Sequence, residues 1–364
     1  MTEREKEIFN IIKKNPGVEQ KHIANELGIT RSSVAVHIAN LIKKGYLLGK
    51  GYVINDRPYV LGIGGANVDI QGFSNDKIVY EDSNPGEVIA SSGGVCRNIC
   101  ENLSRLGVET KLVSAIGDDY FGKKLFQECV EAGINVENVI KSEKAQTSCY
   151  LSIIDSDGDM KVAISHMDVM KEITVEKIKK LKGLIEKACI IIIDTNLEEN
   201  VIEYILSNYN EKIIFVDTVS TKKSVKIKKM LKFIDTLKPN IYEAQMLSGV
   251  EIKDDKGLEK AAVKIIEKGI KNLFISMGEK GIFYMDEQFN SKLYKPEKVN
   301  MINATGAGDS FMAGLIYGRF NDFSVDDTVK FAMSLAAYTV ESEETINKNI
   351  SEEKVLLRMR GNLK

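Results

Sequence analysis

The sequence predicts an α/β protein with a doubly wound, mostly parallel sheet, preceded by a small winged helix-turn-helix module. Three observations carry this. From Ala188 onward, short runs of Ile, Val and Phe alternate with helical segments, the pattern of strands buried on both faces and covered by helices. The first 57 residues instead place apolar residues at helical spacing between tight glycine turns, and hold ten Lys or Arg against six Asp or Glu. A glycine-flanked stretch, Asn303-Ala304-Thr305-Gly306-Ala307-Gly308-Asp309-Ser310, runs straight into the apolar Phe311-Met312-Ala313-Gly314-Leu315-Ile316.

The chain of 364 residues, 43% hydrophobic, accommodates one large α/β domain plus a small one. Its formal charge is −2, with +4 on residues 1–57 and −6 on the remainder. That balance excludes a whole-protein nucleic-acid coat and points to a basic N-terminal module, although such an excess also suits ordinary solvated surface. Cys96, Cys100, Cys129, Cys149 and Cys189 show no C-x-x-C spacing and no neighbouring histidines, so reduced, mostly buried thiols are expected rather than a zinc site or disulfides. No signal-peptide core opens the chain. The longest apolar run, Ala188 to Ile193, is strand-sized and far short of the about 20 residues of a membrane span, so a cytoplasmic protein is expected.

In residues 1–57, Ile8, Ile11 and Ile12 mark a helix over Glu3–Lys14 that Asn15-Pro16-Gly17 stops. Gln20 to Leu27 forms a second helix ending at Gly28. Thr30 caps a third, Arg31 to Lys44, with Val34, Ile38, Leu41 and Ile42 inward and Gly45 closing it. Helices two and three form a helix-turn-helix, and Tyr46 to Ile54 reads as the hairpin wing. On this reading Arg31, Ser32, Ser33 and His37 face a groove, while Lys43, Lys44 and Lys50 are available to phosphates. The stretch resembles the winged helix-turn-helix domains of bacterial transcription regulators, which implies DNA as a partner and a dimer on a palindromic site. Such modules also serve in docking. Asn55-Asp56-Arg57-Pro58 is a polar break that sets the boundary, leaving residues 58–364 as the second domain.

That domain opens with a strand, Tyr59 to Gly65, followed by Asn67 and Asp69, polar groups at the carboxyl end of a strand where ligands of α/β sheets bind. Both residue types also favour turns. Gly93 and Gly94 precede Asn98 and a helix from Ile99 to Leu106, ended by Gly107. Lys111 to Ile116 is a strand, and Asp118 and Asp119 cap the next helix. Thr147–Ile154 and Met160–Ser165 flank an Asp-rich turn and form a hairpin, with further strands between about Ile70 and Ala90. Strands Ala188–Asp194, Lys212–Asp217, Ile234–Leu237, Asn272–Ser276 and Ile282–Met285 alternate with helices Glu198–Ser207, Tyr242–Leu247 and Gly257–Lys268.

The glycines around Ala307 allow a sharp turn at a helix start, leaving N–H groups unpaired at its positive end. Such an end holds an anion. A carboxylate there, Asp309, suits a base that takes a proton from a hydroxyl while the Gly306, Ala307 and Gly308 amides stabilise a transferring phosphoryl group. An ordinary helix start with a first-turn acid has the same pattern.

A-T-G-A-G-D-S-F resembles the C-terminal signature of the ribokinase-like (PfkB-type) carbohydrate kinase family, and the resemblance extends from about Tyr59 to the C-terminal region. It implies that Asp309 is the catalytic base and the preceding amides its anion hole, that Asp69, with Asn67, Gly93, Gly94 and Asn98 of a G-G-x-x-x-N motif, binds substrate hydroxyls, and that the hairpin and the strands between about Ile70 and Ala90 build a β lid that folds over the sugar. Asn240 and Glu243 match N-x-x-E, which positions Mg²⁺ and phosphates through water, with no direct protein ligand to the metal. Ser276, Gly278 and Gly281 match the nucleotide-side turn, so ATP and Mg²⁺ are the implied cofactors. Relatives carry Asp-Thr-Thr where this chain has Asn303-Ala304-Thr305, so monovalent-cation activation is not carried over, and Val95 replaces the lysine of ribokinases proper. Arg97 has no assigned role. The winged helix, Gly64 to Gly72, Asp194-Thr195-Asn196 and Asp217-Thr218-Val219-Ser220 resemble the subgroup of pseudouridine kinases and related nucleoside kinases. Phosphorylation of a ribose 5′-hydroxyl is implied, with inosine, adenosine, ribose or fructose as other acceptors. A regulator whose kinase-like domain only senses a sugar is the reading from another class, and a homodimer is expected.

Overall fold

The computed structural model describes residues 1–47 and 58–361, and its contacts divide the chain into two compact units, Met1–Pro58 and Tyr59–Lys364. In the first, helices α1 (Glu3–Lys14), α2 (Gln20–Leu27) and α3 (Arg31–Lys43) enclose a core of Ile8, Ile12, Ile23, Val34, Ile38 and Leu41. The local signals act as expected. Gly28 ends α2 at φ 62°, and the Thr30 hydroxyl accepts the Ser33 N–H at 3.2 Å. Glu5 is buried, which the spacing of the apolar residues does not announce. It accepts the Thr2 N–H at 2.7 Å, closing a capping box, and Lys44 Nζ donates to it at 2.7 Å, which ties the start of α1 to the end of α3. Two expectations are corrected here. Ile42 is exposed, because the last turn of α3 runs past the core, and Lys44 is engaged by Glu5 instead of standing free for phosphate. The expected wing from residue 48 onward, Lys50 included, and the break at Asn55 to Arg57 lie outside the described residues.

The second unit runs β1 (Val60–Ile63), β2 (Asn67–Ser74), β3 (Gly86–Gly93), α4 (Val95–Arg105), β4 (Thr110–Val113), β5 (Ala115–Gly117), α5 (Tyr120–Glu131), β6 (Ile140–Ser142), β7 (Cys149–Ile154) and β8 (Met160–His166). Then come α6 (Val175–Lys180), α7 (Lys182–Lys187), β9 (Ile190–Asp194), α8 (Glu199–Asn208), β10 (Ile213–Asp217), α9 (Thr221–Ser224), β11 (Thr236–Lys238), α10 (Ile241–Ser248) and α11 (Asp255–Ile266). The chain closes with β12 (Asn272–Ser276), β13 (Ile282–Asp286), β14 (Ser291–Tyr294), α12 (Ala307–Phe320), α13 (Val325–Val340) and α14 (Glu352–Met359).

The main sheet has eight strands in the order β14-β13-β12-β11-β10-β9-β1-β4, parallel from β12 to β4, with β13 and β14 antiparallel at one edge. Side chains alternate across it. Leu61, Ile63, Ile191, Ile193, Ile214 and Val216 pack on one face beneath α8, α10 and α11, while Val60, Ile190, Ile192, Phe215 and Phe274 pack on the other beneath α4, α12 and α13. The double layer of helices is what lets continuous apolar strands exist without an exposed greasy face.

A separate four-stranded sheet, β3-β2-β7-β8, is the lid. The expected strand Lys111–Ile116 is split: its end pairs as β5 with β6 in a small sheet of its own. Three of the five cysteines are buried, but Cys189 is exposed and Cys149 half-buried; all are free thiols. Among the described residues no helix is long and apolar enough to cross a membrane.

Helices α12 and α13 cross at Gly314 and Gly318. A Cβ on Gly314 would stand 2.3 Å from Ala332 Cα, and one on Gly318 2.5 Å from Thr328 Oγ1, so these glycines set the closeness of the crossing. Gly314→Ala is therefore expected to force the helices apart and destabilise this unit by about 1–3 kcal/mol, read as a lower denaturant midpoint with an unchanged slope. A wild-type midpoint would mean that the crossing does not depend on that contact.

Candidate active site

The carboxyl ends of β1, β9, β10 and β11 converge on one region, and a buried acid organises it. Asp194, the last residue of β9, accepts N–H groups from Gly65 at 2.8 Å, Cys96 at 3.0 Å and Asn196 at 2.9 Å. It thereby clamps the turn after β1 to the start of α4. Burial pushes the Asp194 carboxyl upward and the three N–H donors oppose it. The turn needs glycine: a Cβ on Gly64 would stand 2.7 Å from the Asp194 carboxylate, and Gly94, at φ 102°, would meet Ala66 Cα at 2.5 Å.

Asn67 and Asp69 are not turn residues. They begin the lid strand β2, so the hydroxyl-binding candidates and the lid are one element. Asn67 Nδ2 donates to Asp69 Oδ1 at 2.5 Å, and Gly93 lies opposite Asn67 on β3. A Cβ on Gly93 would stand 2.1 Å from Asp69 Oδ2. Asp69 is pushed up to about 6 by burial, against the Asn67 hydrogen bond and the positive charge of Arg97.

The helix expected from Ile99 starts at Val95, which puts Asn98 in its first turn. There Asn98 Nδ2 donates to Asp309 Oδ2 at 2.8 Å, a partner that sequence reasoning did not foresee for a residue expected to bind substrate alone.

The anion end of α12 is only partly as expected. Gly306 adopts φ 81°, and a Cβ there would meet the Thr345 carbonyl oxygen at 2.1 Å. The Ala307 N–H makes a long 3.4 Å bond to the Ala304 carbonyl, whereas those of Gly306 and Gly308 have no acceptor among the described residues. Asp309, half-buried, is pushed up to about 7. Burial is the main cause, with the negative charges of Asp217 and Asp194 adding to it and the Asn98 hydrogen bond and Lys238 opposing.

Lys238 is the functional candidate that sequence reasoning missed. Its ammonium is buried 3.1 Å from Asp217 Oδ2, and a Cβ on Gly308 would stand 3.5 Å from it, so a cation lies against the anion end. Burial works against its charge, but Asp217 and Asp309 outweigh that and hold it protonated. The available signal was a lysine ending a central strand of the sheet, directly before Pro239-Asn240.

Asn240 and Glu243 form a capping box at the start of α10. Asn240 Oδ1 accepts the Glu243 N–H at 2.9 Å, and Glu243 Oε2 accepts the Asn240 N–H at 2.8 Å and the Thr218 hydroxyl at 2.6 Å. Much of the pair's capacity is thus spent on the helix start, leaving the Asn240 amide N–H groups and Glu243 Oε1 without a protein partner among the described residues. That donor set fits a hydrated Mg²⁺ held through water, since Mg²⁺ keeps most of its waters. The Ser276 N–H donates to the Pro239 carbonyl at 2.9 Å, which sets the turn after β12 beside Asn240. In that turn Gly278 adopts φ 59° with open space around it, and Gly281 adopts φ 98° where a Cβ would meet the Tyr294 carbonyl oxygen at 2.0 Å.

In the N-terminal unit, Arg31 and Ser32 are exposed at the start of α3. Ser33 and His37 are only half-buried candidates. The Ser33 hydroxyl lies 2.9 Å from that of Thr30, and His37 turns a buried Nδ1 inward without a partner among the described residues.

Residues 57–352 match the pfkB family carbohydrate kinases, and residues 1–47 match a winged helix-turn-helix DNA-binding family. The chain is 34% identical over 356 residues to an uncharacterized sugar kinase of Escherichia coli K12, YeiI, covering 98% of each. It is 37% identical over 303 residues to the pseudouridine kinase of the same organism, covering 83% of this chain and 97% of that one. A solved structure from Clostridium perfringens, assigned as a sugar kinase, superposes with a TM-score of 0.74 at 37% identity, over 84% of this chain and 96% of the other.

Below about 7 the Asp309 carboxyl is protonated and cannot accept a proton, so a reaction using it as base loses rate as pH falls through that value. Asn98→Ala removes a hydrogen bond to the charged form and is expected to move this acid limb of kcat/KM to higher pH. A limb that stays in place in the variant would show that it belongs to another group.

Proposed function

Since the chain belongs to the pfkB family carbohydrate kinases, phosphotransferases with an alcohol group as acceptor, we propose that it transfers the γ-phosphoryl group of ATP to the 5′-hydroxyl of a nucleoside, pseudouridine first. One observation carries the chemistry. Asp309 stands in the first turn of α12 between the open Gly306 and Gly308 amides, the Lys238 ammonium and the Asn98 amide. In this reading Asp309 takes the proton of the attacking hydroxyl, while the amides, with Ala307 completing the turn, and Lys238 stabilise negative charge on the transferring group. Asn67, Asp69, Gly93 and Gly94 hold the ribose hydroxyls on the lid side. Asn240 and Glu243 orient water around Mg²⁺, and Ser276, Gly278 and Gly281 border the nucleotide. Mg²⁺, when bound with ATP, draws off charge from the phosphate oxygens. Closure of the lid excludes water, which protects ATP from hydrolysis.

The 37% identity to a pseudouridine kinase supports the choice of nucleoside. Val95 in place of the lysine of ribokinases proper speaks against free ribose. A second reading adds to the first: the winged-helix match of residues 1–47 supports DNA binding, with Arg31, Ser32, Ser33, His37 and Lys50 as candidate contacts. A homodimer is supported by the lid, where Val88, Val162 and Ile164 share one face and are 72%, 53% and 61% exposed, an apolar patch suited to a second copy. The cytosol is the expected compartment.

Turnover of ATP with pseudouridine, uridine, inosine, adenosine, ribose and fructose tests the assignment. Pseudouridine is expected to give the highest kcat/KM, and Asp309→Asn to lower kcat about 10²–10⁴-fold. A different best acceptor replaces the substrate, and no turnover with retained nucleoside binding favours a sensor. Operator selection with and without nucleoside reads the DNA function, and an absence of DNA binding even at low salt excludes it.

A further inference from the structure

Arg97 takes no part in the chemistry above, yet it is 4% exposed. Its guanidinium is ion-paired with Glu101, one turn along α4 and itself 3% exposed, and Arg105 Nη2 holds the same carboxylate at 2.6 Å. Buried pairs of this kind are poor evidence for stability, because desolvation offsets the attraction. Their geometric effect is clearer: the plane of the guanidinium is fixed. From that plane Nη1 donates to the Ser92 carbonyl at 3.3 Å and to Asn98 Oδ1 at 3.1 Å.

A side-chain amide has its acceptor on one side and its donors on the other. With Oδ1 held by a cation, Asn98 must turn Nδ2 toward Asp309, where the bond is 2.8 Å. A flipped amide would set oxygen against carboxylate and N–H against guanidinium, two repulsive pairings in place of two charge-assisted bonds. Ser92, the other acceptor, precedes Gly93, which packs against Asp69. Arg97 therefore joins the root of the lid to the amide that faces the base.

We infer that Arg97 is a positioning residue for phosphoryl transfer: it locks the orientation of the Asn98 amide and so aims an N–H at Asp309. This rests on the proposed role of Asp309 as base. The charges facing Asp309 are Asp217 and Asp194, which oppose its ionisation, and Lys238, which favours it; Asn98 supplies the hydrogen bond. Arg97 reaches Asp309 through Asn98, while its charge also favours ionised Asp69.

R97K separates fork from charge, because an ammonium is a point charge that cannot span Glu101 and Asn98 as a guanidinium does. The experiment is kcat/KM against pH for the full chain, wild type, R97K, N98A and R97K/N98A. R97K is expected to move the acid limb about one pH unit upward, the size of one lost bond to a charged group, with the KM for ATP unchanged. In the N98A background R97K is expected to move it no further. An R97K profile superposing on wild type, or a shift that persists undiminished in N98A, overturns the inference. Should R97K fail to fold, E101Q is read in its place, since it loosens the guanidinium while keeping its charge, with the same expectations. A second readout does not depend on turnover: the titration of Asp309 in ligand-free protein, followed by NMR of carboxyl-labelled aspartate with D309N assigning the signal. A midpoint raised in R97K supports the positioning role even where no acceptor is phosphorylated, which would sink only the kinase reading; an unmoved midpoint overturns the role itself.

Discussion

The site depends on one buried carboxylate. Asp194 is fully buried and takes three backbone N–H groups, from the turn after β1, from the start of α4 and from its own following turn. An unpaired acid in that position would be costly, so the three donors are held where the acid needs them. Because the Cys96 N–H is one of them, the first turn of α4 cannot drift, and Asn98 in that turn is delivered to within 2.8 Å of Asp309.

The opposite side of that contact is fixed by a second buried polar chain. Asn102 Nδ2 donates to the Asn98 carbonyl at 2.9 Å, and the Ser310 hydroxyl lies 2.6 Å from that of Thr339. The Ser310 hydroxyl also donates to Asn102 Oδ1 at 3.5 Å, so with the Gly314 crossing these bonds hold α12 against α13 and beside α4. The result is a carboxylate whose charge is opposed by burial and by Asp217, and favoured by Asn98 and Lys238. A group so balanced titrates near neutrality, which is where a base for a hydroxyl is most effective. The same electrostatics place Lys238 so that the cation pairs with Asp217 and also borders the anion end of α12.

The lid shows how one strand serves two environments. Alternate residues of β2 point to opposite faces, so Asn67 and Asp69 face one way while Ile70 joins the apolar face shared by Val88, Val162 and Ile164. A one-residue slip in register would exchange the two faces, and the paired Asn67 and Asp69 side chains, together with the absence of a Cβ at Gly93, favour the observed one.

Much of this was legible in the sequence, because it follows from local rules. The strand and helix periods, the αL glycines at Gly28 and Gly306, the Thr30 and Asp119 caps and the carboxylate of Asp309 in a first helical turn are all set by neighbours within a few residues. So is the capping box of Asn240 and Glu243, although its structural share became visible only with the bonds drawn. What the sequence could not show are contacts between residues far apart in the chain. The Asn98–Asp309 bond spans 211 positions, and Lys238 borders Gly308 only because the end of β11 lies beneath the start of α12. Arg97 and Lys44 illustrate the limit from the other direction. A positive side chain reads as surface or as a phosphate contact until folding shows a buried carboxylate waiting for it, Glu101 in one case and Glu5 in the other. The local code decided which elements form and where they start. Tertiary packing alone decided which charges meet, because the energy of a charge depends on what surrounds it in space and on how little water remains there.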